Sequence, residues 1–154
     1  MRHASLLPLS HDHHHGLALA LRCRKQALGQ MQPVGAHELR QRAEELRNFI
    51  LNNLERHFEA EEEILFPLIR SCVPESHGLV EDLLREHEQM RRGVSHLEEG
   101  AGLSKILFDL GDLLERHIRR EERELFPLFE SHVPAVQAEE VKGKIERALA
   151  AQDA

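Results

Sequence analysis

One block of sequence occurs twice in this chain. Residues 54–74 read LERHFEAEEEILFPLIRSCVP and residues 114–134 read LERHIRREERELFPLFESHVP, with 13 of 21 positions identical at a constant offset of 60. Two copies this alike take the same local structure and need equivalent surroundings, so the fold has to accommodate a pair of related units. A fainter echo links LSHDHHHGLALAL (9–21) with LREHEQMRRGV (84–94), each an acidic residue followed by histidine and then an apolar helical face. The pattern predicts two helical hairpins of one design.

Apolar periodicity divides the chain into four helical segments. The first runs from about Ser10 to Gln30 and ends at MQPVG, where Pro33 and Gly35 mark a turn. The second, about Ala36 to Ser71, carries Leu39, Ala43, Leu46, Ile50, Leu54, Ile64 and Leu68 on one face. The third spans about Ser76 to Glu98, and the fourth about Ser104 to Ser131 with Ser104 as its expected N-cap. Short connections between long helices make neighbours antiparallel. The expected fold is therefore all-α: a single domain over 1–154, an up-down-up-down four-helix bundle at about 9–132, and a short C-terminal helix at about 135–150. Pro67 and Pro127 interrupt the second and fourth segments, so a kink or an early stop is expected at each. The tail strip Val136, Val141, Ile145, Ala148 and Leu149 is expected to cap the bundle, with a dimer contact as the alternative, leaving monomer and homodimer both open.

Composition narrows the function classes. Leucine, alanine and long charged residues lose little rotamer freedom in helices, and all six aromatic residues are Phe. A formal charge of −7 argues against a nucleic-acid partner, which requires a basic footprint. The opening MRHASLLPLSHDHHHG lacks the roughly 7–15-residue apolar core of a secretion signal. No run reaches the roughly 18 apolar residues that cross a bilayer, so a cytoplasmic protein without membrane contact is expected. Cys23 and Cys72 form no CxxC pair and read as reduced core or boundary residues.

The anomaly is histidine, of which there are 12. His57 and Glu61, and again His117 and Glu121, are four residues apart, which stacks each pair on one helical face roughly 6 Å apart along the axis. His57 continues the stripe of Leu46, Ile50 and Leu54, and His117 continues that of Ile106, Leu110, Leu113 and Leu114, so both pairs point into the core. An isolated ionised carboxylate there costs several kcal/mol. Protonation, a His–Glu hydrogen-bond network or a metal relieves that cost, and repetition of the pair favours the metal. His87 faces inward from the third helix with Val80, Leu84, Met90 and Val94. On the first helix either His13 or His14 faces inward, and the alignment of Asp12-His13 with Glu86-His87 favours His13. Four histidines and two glutamates suffice for two ions, each with two imidazoles and both sharing the carboxylates. Such mixed donors suit iron, with manganese or zinc as alternatives. Glu59, Glu62, Glu63, Glu122 and Glu124 read as solvated surface charges, and His3, His11, His15, His37, His77, His96 and His132 as surface or helix-end residues.

The segments DHHH (12–15), HFEAEEEILFP (57–67), EH (86–87) and HIRREERELFP (117–127) resemble the hemerythrin-like proteins with the His-His-Glu cation-binding domain. The likeness covers about residues 9–132. It implies a four-helix bundle with an oxo- or hydroxo-bridged non-haem di-iron centre that binds dioxygen or nitric oxide, or senses iron and oxygen. It also implies His57 and His117 as terminal ligands, Glu61 and Glu121 as bridging ones, and His87 with His13 or His14 completing the set. Oxygen-carrying members have a second histidine four residues after the helix-three ligand, where this chain has Arg91. They also place the last carboxylate five residues after its histidine, whereas Glu121 stands at four and Glu122 at five. The departure turns the expectation from oxygen carriage towards the sensing or nitrosative-stress branch. A binding or sensing protein for O2, NO, peroxide or iron level is the leading expectation. A di-iron oxidoreductase acting on peroxide or nitric oxide is the second, and a zinc or metal-free structural bundle the third. The chain has no tyrosine, which excludes a tyrosyl-radical enzyme.

Overall fold

Leucine-rich stripes at helical spacing build eight α-helices in the computed structural model, which describes residues 1–150 and contains no strand among them. They are α1 (Leu7–Ala27), α2 (Ala36–Phe49), α3 (Glu55–Ala60), α4 (Phe66–Cys72), α5 (His77–Glu99), α6 (Leu103–Arg120), α7 (Phe126–His132) and α8 (Ala135–Ala150). Two π turns, Ile50–Leu54 and Glu61–Leu65, join α2, α3 and α4 into one rod over 36–72. A third, Glu121–Leu125, joins α6 to α7 into a rod over 103–132. With α1 and α5 these make the four rods of an up-down-up-down bundle, in which α1 packs along α2 and α6 and α5 packs along α6. No helix of the described residues is long and apolar enough to cross a membrane.

The prolines neither stop nor break the rods. A helical proline lacks the N–H and collides with the carbonyl four residues back. Here the turn ahead of each proline has widened: Phe66 N–H donates to Glu61 O and Phe126 N–H donates to Glu121 O, one residue beyond the α-helical partner. The α-helix then restarts with Pro67 or Pro127 in its first turn, where a missing N–H costs nothing. The fourth rod also begins differently from expectation. Gly102, at φ 63, is the residue before the helix and Ser104 lies within its first turn, because the left-handed pair Gly100 (φ 79) and Gly102 closes the turn from α5.

Two apolar clusters fill the bundle. One contains Leu46, Ile50, Leu54, Phe58, Met90, Leu107, Leu114 and Ile118, and the other Leu6, Leu9, Leu65, Phe66, Ile69, Leu83, Phe126 and Phe129. The tail helix α8 belongs to the second, burying Ala138, Val141 and Ile145 against it while Val136 stays exposed. This is the capping arrangement. Cys23 is buried, and burial pushes its thiol up to about 12, so it packs as an inert core residue; Cys72 is half-buried and also free. Between the two apolar clusters lies a layer of buried polar side chains.

Candidate metal centre

That layer consists of His13 from α1, His57 from α3, Glu61 from the π turn after it, His87 from α5, His117 from α6 and Glu121 from the last π turn. All six are at most 2% exposed. They form two overlapping groups of potential metal donors: His13, His57, Glu61 and Glu121, and Glu61, His87, His117 and Glu121. Within each group the donor atoms lie within 4.8 Å of one another, and both groups contain both glutamates. Of the two helix-one histidines only His13 takes part. His14 is exposed and lines a surface cleft with His11, Lys142 and Glu146. Its position is one helical step, about 100°, from His13, enough to carry it off the inward stripe of Leu9, His13, Gly16 and Ala20.

Each of the four imidazoles is held from behind by a carboxylate. His13 Nδ1 donates to Glu122 (2.6 Å), His57 Nδ1 to Asp12 (3.0 Å), His87 Nδ1 to Glu62 (2.6 Å) and His117 Nδ1 to Glu86 (2.8 Å). These bonds fix the tautomer that leaves Nε2 bare and turned inward. They follow the internal repeat: Asp12–His57 maps onto Glu86–His117, and Glu62–His87 onto Glu122–His13. Each support therefore crosses from one rod to the next. The sequence reading missed this set. Glu62 and Glu122, expected as solvated surface charges, are only partly exposed (26% and 25%) and are committed to histidine. The π turn accounts for the difference. It advances less per residue than an α-helix, so Glu61 and Glu62 sit closer to one face, the first in the centre and the second just behind it. A signal was present, because Glu62/Glu122 are identical in the two copies whereas Glu63/Arg123 and Glu59/Arg119 are not.

A shell of arginine and aromatic rings surrounds the supports. Arg91 pairs with Glu62 at 3.1 Å and also with Glu55 and Glu88, and its guanidinium lies 5.5 Å from the Phe58 ring centroid. Arg2 pairs with Glu122 at 3.2 Å, and Ser10 Oγ donates to the same carboxylate. Arg120 lies 3.7 Å from Glu86. Phe58 stacks on His87 at 3.9 Å between centroids, and Phe126 stacks on His13 at 5.5 Å. The rings exclude water and hold the imidazole planes.

The electrostatics of the bare donor set are those of a site short of positive charge. Burial pushes the His87 imidazole down, yet the Glu61 and Glu62 carboxylates beside it lift it from 6.5 to about 9. His57 is raised well above its ordinary value in the same way, against burial, by Glu61 and Asp12. Burial pushes Glu121 up, but the charge of His117 and contacts with Glu61, His13 and His57 hold it well below the ordinary carboxylate range. Despite this, His13, His87 and His117 Nε2 and all four carboxylate oxygens of Glu61 and Glu121 have no hydrogen-bond partner. His13 Nε2 comes within 2.9 Å of Glu121 Oε1 but lacks hydrogen-bond alignment. Seven buried polar atoms converging without partners would cost about 1–3 kcal/mol each if nothing satisfied them. Cations would satisfy all of them together, and the donor set fits a metal-ion site.

Comparison with known proteins agrees with this geometry. A curated protein of Nostoc sp. described as a DNA nickase is 29% identical over 123 residues, a match that takes in 73% of this chain and 34% of that protein. The chain thus spans about a third of the length of the curated relative it matches. No solved structure matches it. The family model for the hemerythrin HHE cation-binding domain matches residues 5–129, a span that takes in all six central side chains and their four supporting carboxylates. This chain belongs to the hemerythrin HHE cation-binding family.

Proposed function

We propose that the protein is a non-haem di-iron protein that binds or senses dioxygen, nitric oxide or peroxide, or reports iron level through occupancy of its centre. The observation that carries the reading is the converging set of partnerless Nε2 and carboxylate atoms in a wholly buried layer, with every histidine Nδ1 already committed to a carboxylate. In this reading His13 and His57 would hold one ion and His87 and His117 the other, with Glu61 and Glu121 available to both. Iron held there would supply one-electron redox chemistry and affinity for a small diatomic ligand or peroxide. The chain's own residues do the rest. Asp12, Glu62, Glu86 and Glu122 orient the imidazoles and raise their basicity, and Phe58, Phe66 and Phe126 keep water out.

Arg91 bears on which ligand chemistry is favoured. It occupies the place of the second helix-three histidine of the oxygen carriers, and its guanidinium is turned outward to Glu55, Glu62 and Glu88. The His87/His117 half therefore has no third imidazole, which supports sensing over reversible carriage. The nicking activity in the Nostoc relative's name belongs to a protein of which the match covers 34%, and it is not transferred here.

The test is elemental analysis after anaerobic iron reconstitution, followed by absorption spectra before and after exposure to air. Two irons per chain and new near-ultraviolet bands on oxidation are expected. The chain has no Trp or Tyr, so such bands stand on a very low background. Fewer than two metals per chain would refute the dinuclear reading. Zinc at that stoichiometry, with no change in air, would leave a structural bundle.

A further inference from the structure

Three of the four supporting carboxylates are closed off by a guanidinium: Glu62 by Arg91, Glu122 by Arg2 and Glu86 by Arg120. Asp12 is different. Its side chain is 21% exposed, it accepts from His57 Nδ1, and no arginine or lysine pairs with it among the described residues. It lines a surface cleft of about 310 Å³ together with Pro8, His11, Asn53, Arg56 and Leu149. Arg56, on that cleft, is turned to the carbonyl oxygens of Asn52 and Leu149. Asp12 is thus the one support whose carboxylate has no guanidinium paired to it among the described residues, although Arg56 lines the same cleft.

Beside this opening, His11 and His15 stand one turn apart on α1, and both are exposed. Their ring centroids are 4.9 Å apart with the planes at 85°. The centroid separations within the two buried pairs are 4.9 Å for His13–His57 and 4.8 Å for His87–His117. The surface rings are as close as those of the buried pairs, but stand edge-to-face where the buried pairs are tilted at 46° and 54°, so a shared ion requires a side-chain rotation at the exposed pair. Histidines at i and i+4 on one helical face are a bidentate chelate for a transition-metal ion, and neutral imidazole suits iron, zinc, nickel and copper.

We propose that His11 and His15 form a third, surface site for a divalent transition-metal ion, and that this site feeds the buried centre past Asp12. The proposal rests on the buried centre being a metal site. Two protein ligands bind weakly and release quickly, whereas the buried donors bind an ion from several sides, so ions move inward down a gradient of affinity. His11 lies next to Asp12 in sequence and on the same cleft, and Asp12 touches His57, which belongs to the donor group of His13, Glu61 and Glu121.

Cobalt(II) alone is the probe, added to metal-free full-length protein, with equilibrium dialysis for stoichiometry and stopped-flow absorbance for the filling of the buried positions. Wild-type protein should hold two tight equivalents and one weak one. His11→Ala/His15→Ala should lose the weak equivalent, keep the tight pair, and fill it about tenfold more slowly, the lower end of what local concentration of an ion gives. His37→Ala/His96→Ala, which removes two other exposed imidazoles, should match wild type. A weak equivalent that persists in the His11/His15 variant, or an unchanged filling rate, overturns the proposal. Failure of wild type to hold the tight pair would instead overturn the buried-centre reading, and loss or survival of the weak equivalent would still decide the surface chelate.

Discussion

Glu62 and Glu63 are adjacent glutamates on one helical surface, and replacing each with Gln separates the two roles. Glu62 accepts from His87 Nδ1 at 2.6 Å and holds Arg91 at 3.1 Å, while Glu63 is exposed. Removing a carboxylate behind a metal-ligating histidine typically weakens metal binding about 10–100-fold. That is about 1.4–2.7 kcal/mol, and with metal in excess it appears in full as lost stability of the loaded protein. For a domain of this size, 1 kcal/mol moves the melting temperature by about 2–4 °C. Glu62→Gln should therefore lower the melting temperature of the metal-loaded protein by roughly 3–10 °C. Metal-free protein should also lose stability, by the share of the His87 stabilisation that Glu62 supplies, while Arg91 keeps Glu55 and Glu88 and His87 keeps Glu61. Glu122→Gln should behave likewise, since Glu122 stands behind His13 at 2.6 Å. The assay is a chelator competition titration together with thermal melts of loaded and metal-free protein. If Glu62→Gln binds metal as tightly as Glu63→Gln, the supporting role of Glu62 is refuted.

His87 is raised from 6.5 to about 9, so its contribution to metal-free stability is fully present below about 6.5 and lost as pH rises through about 9. That loss amounts to up to about 3 kcal/mol, and urea denaturation of chelator-stripped protein across this window should record it; flat or rising stability would contradict the assignment. Glu121, held below its ordinary 4.5, acts in the opposite window, contributing above that value and losing its contribution as pH falls. At Gly111 α6 packs tightly on α1, and an added Cβ would lie 3.1 Å from the Ala20 carbonyl oxygen and 3.3 Å from Cys23 Cβ. Gly111→Ala should destabilise by about 1–3 kcal/mol in denaturation experiments. Gly78→Ala meets nothing within 4 Å inside α5 and should instead stabilise by about 0.5–1 kcal/mol.

Much of this centre is legible in the linear sequence, because its information is periodic. An offset of 60 pairs His57 with His117 and Glu61 with Glu121, and 3.6-residue periodicity turns both pairs inward along leucine stripes. Neither inference needs to know which rod neighbours which. The family likeness, the all-α class and the inward histidine of helix three rest on the same kind of local pattern. The choice between His13 and His14 depends on the rotation of α1 against its neighbours, which packing sets, and only the folded chain resolves it. The means by which the prolines are accommodated escapes the sequence for a related reason. A kink or an early stop is the expectation from an α-helical register, and the chain takes Pro67 and Pro127 behind π turns whose fifth-residue hydrogen bonds leave little trace in a hydrophobic pattern. Those turns bring Glu62 and Glu122 behind the histidines of adjacent rods. A carboxylate on one rod that serves an imidazole on the next is a long-range relation, and spacing along the chain carries no record of it. The sequence by itself determined that His57, Glu61, His87, His117 and Glu121 face the core, and left the helix-one histidine open. Tertiary structure alone decided which carboxylate stands behind each of them, because that depends on how four rods meet.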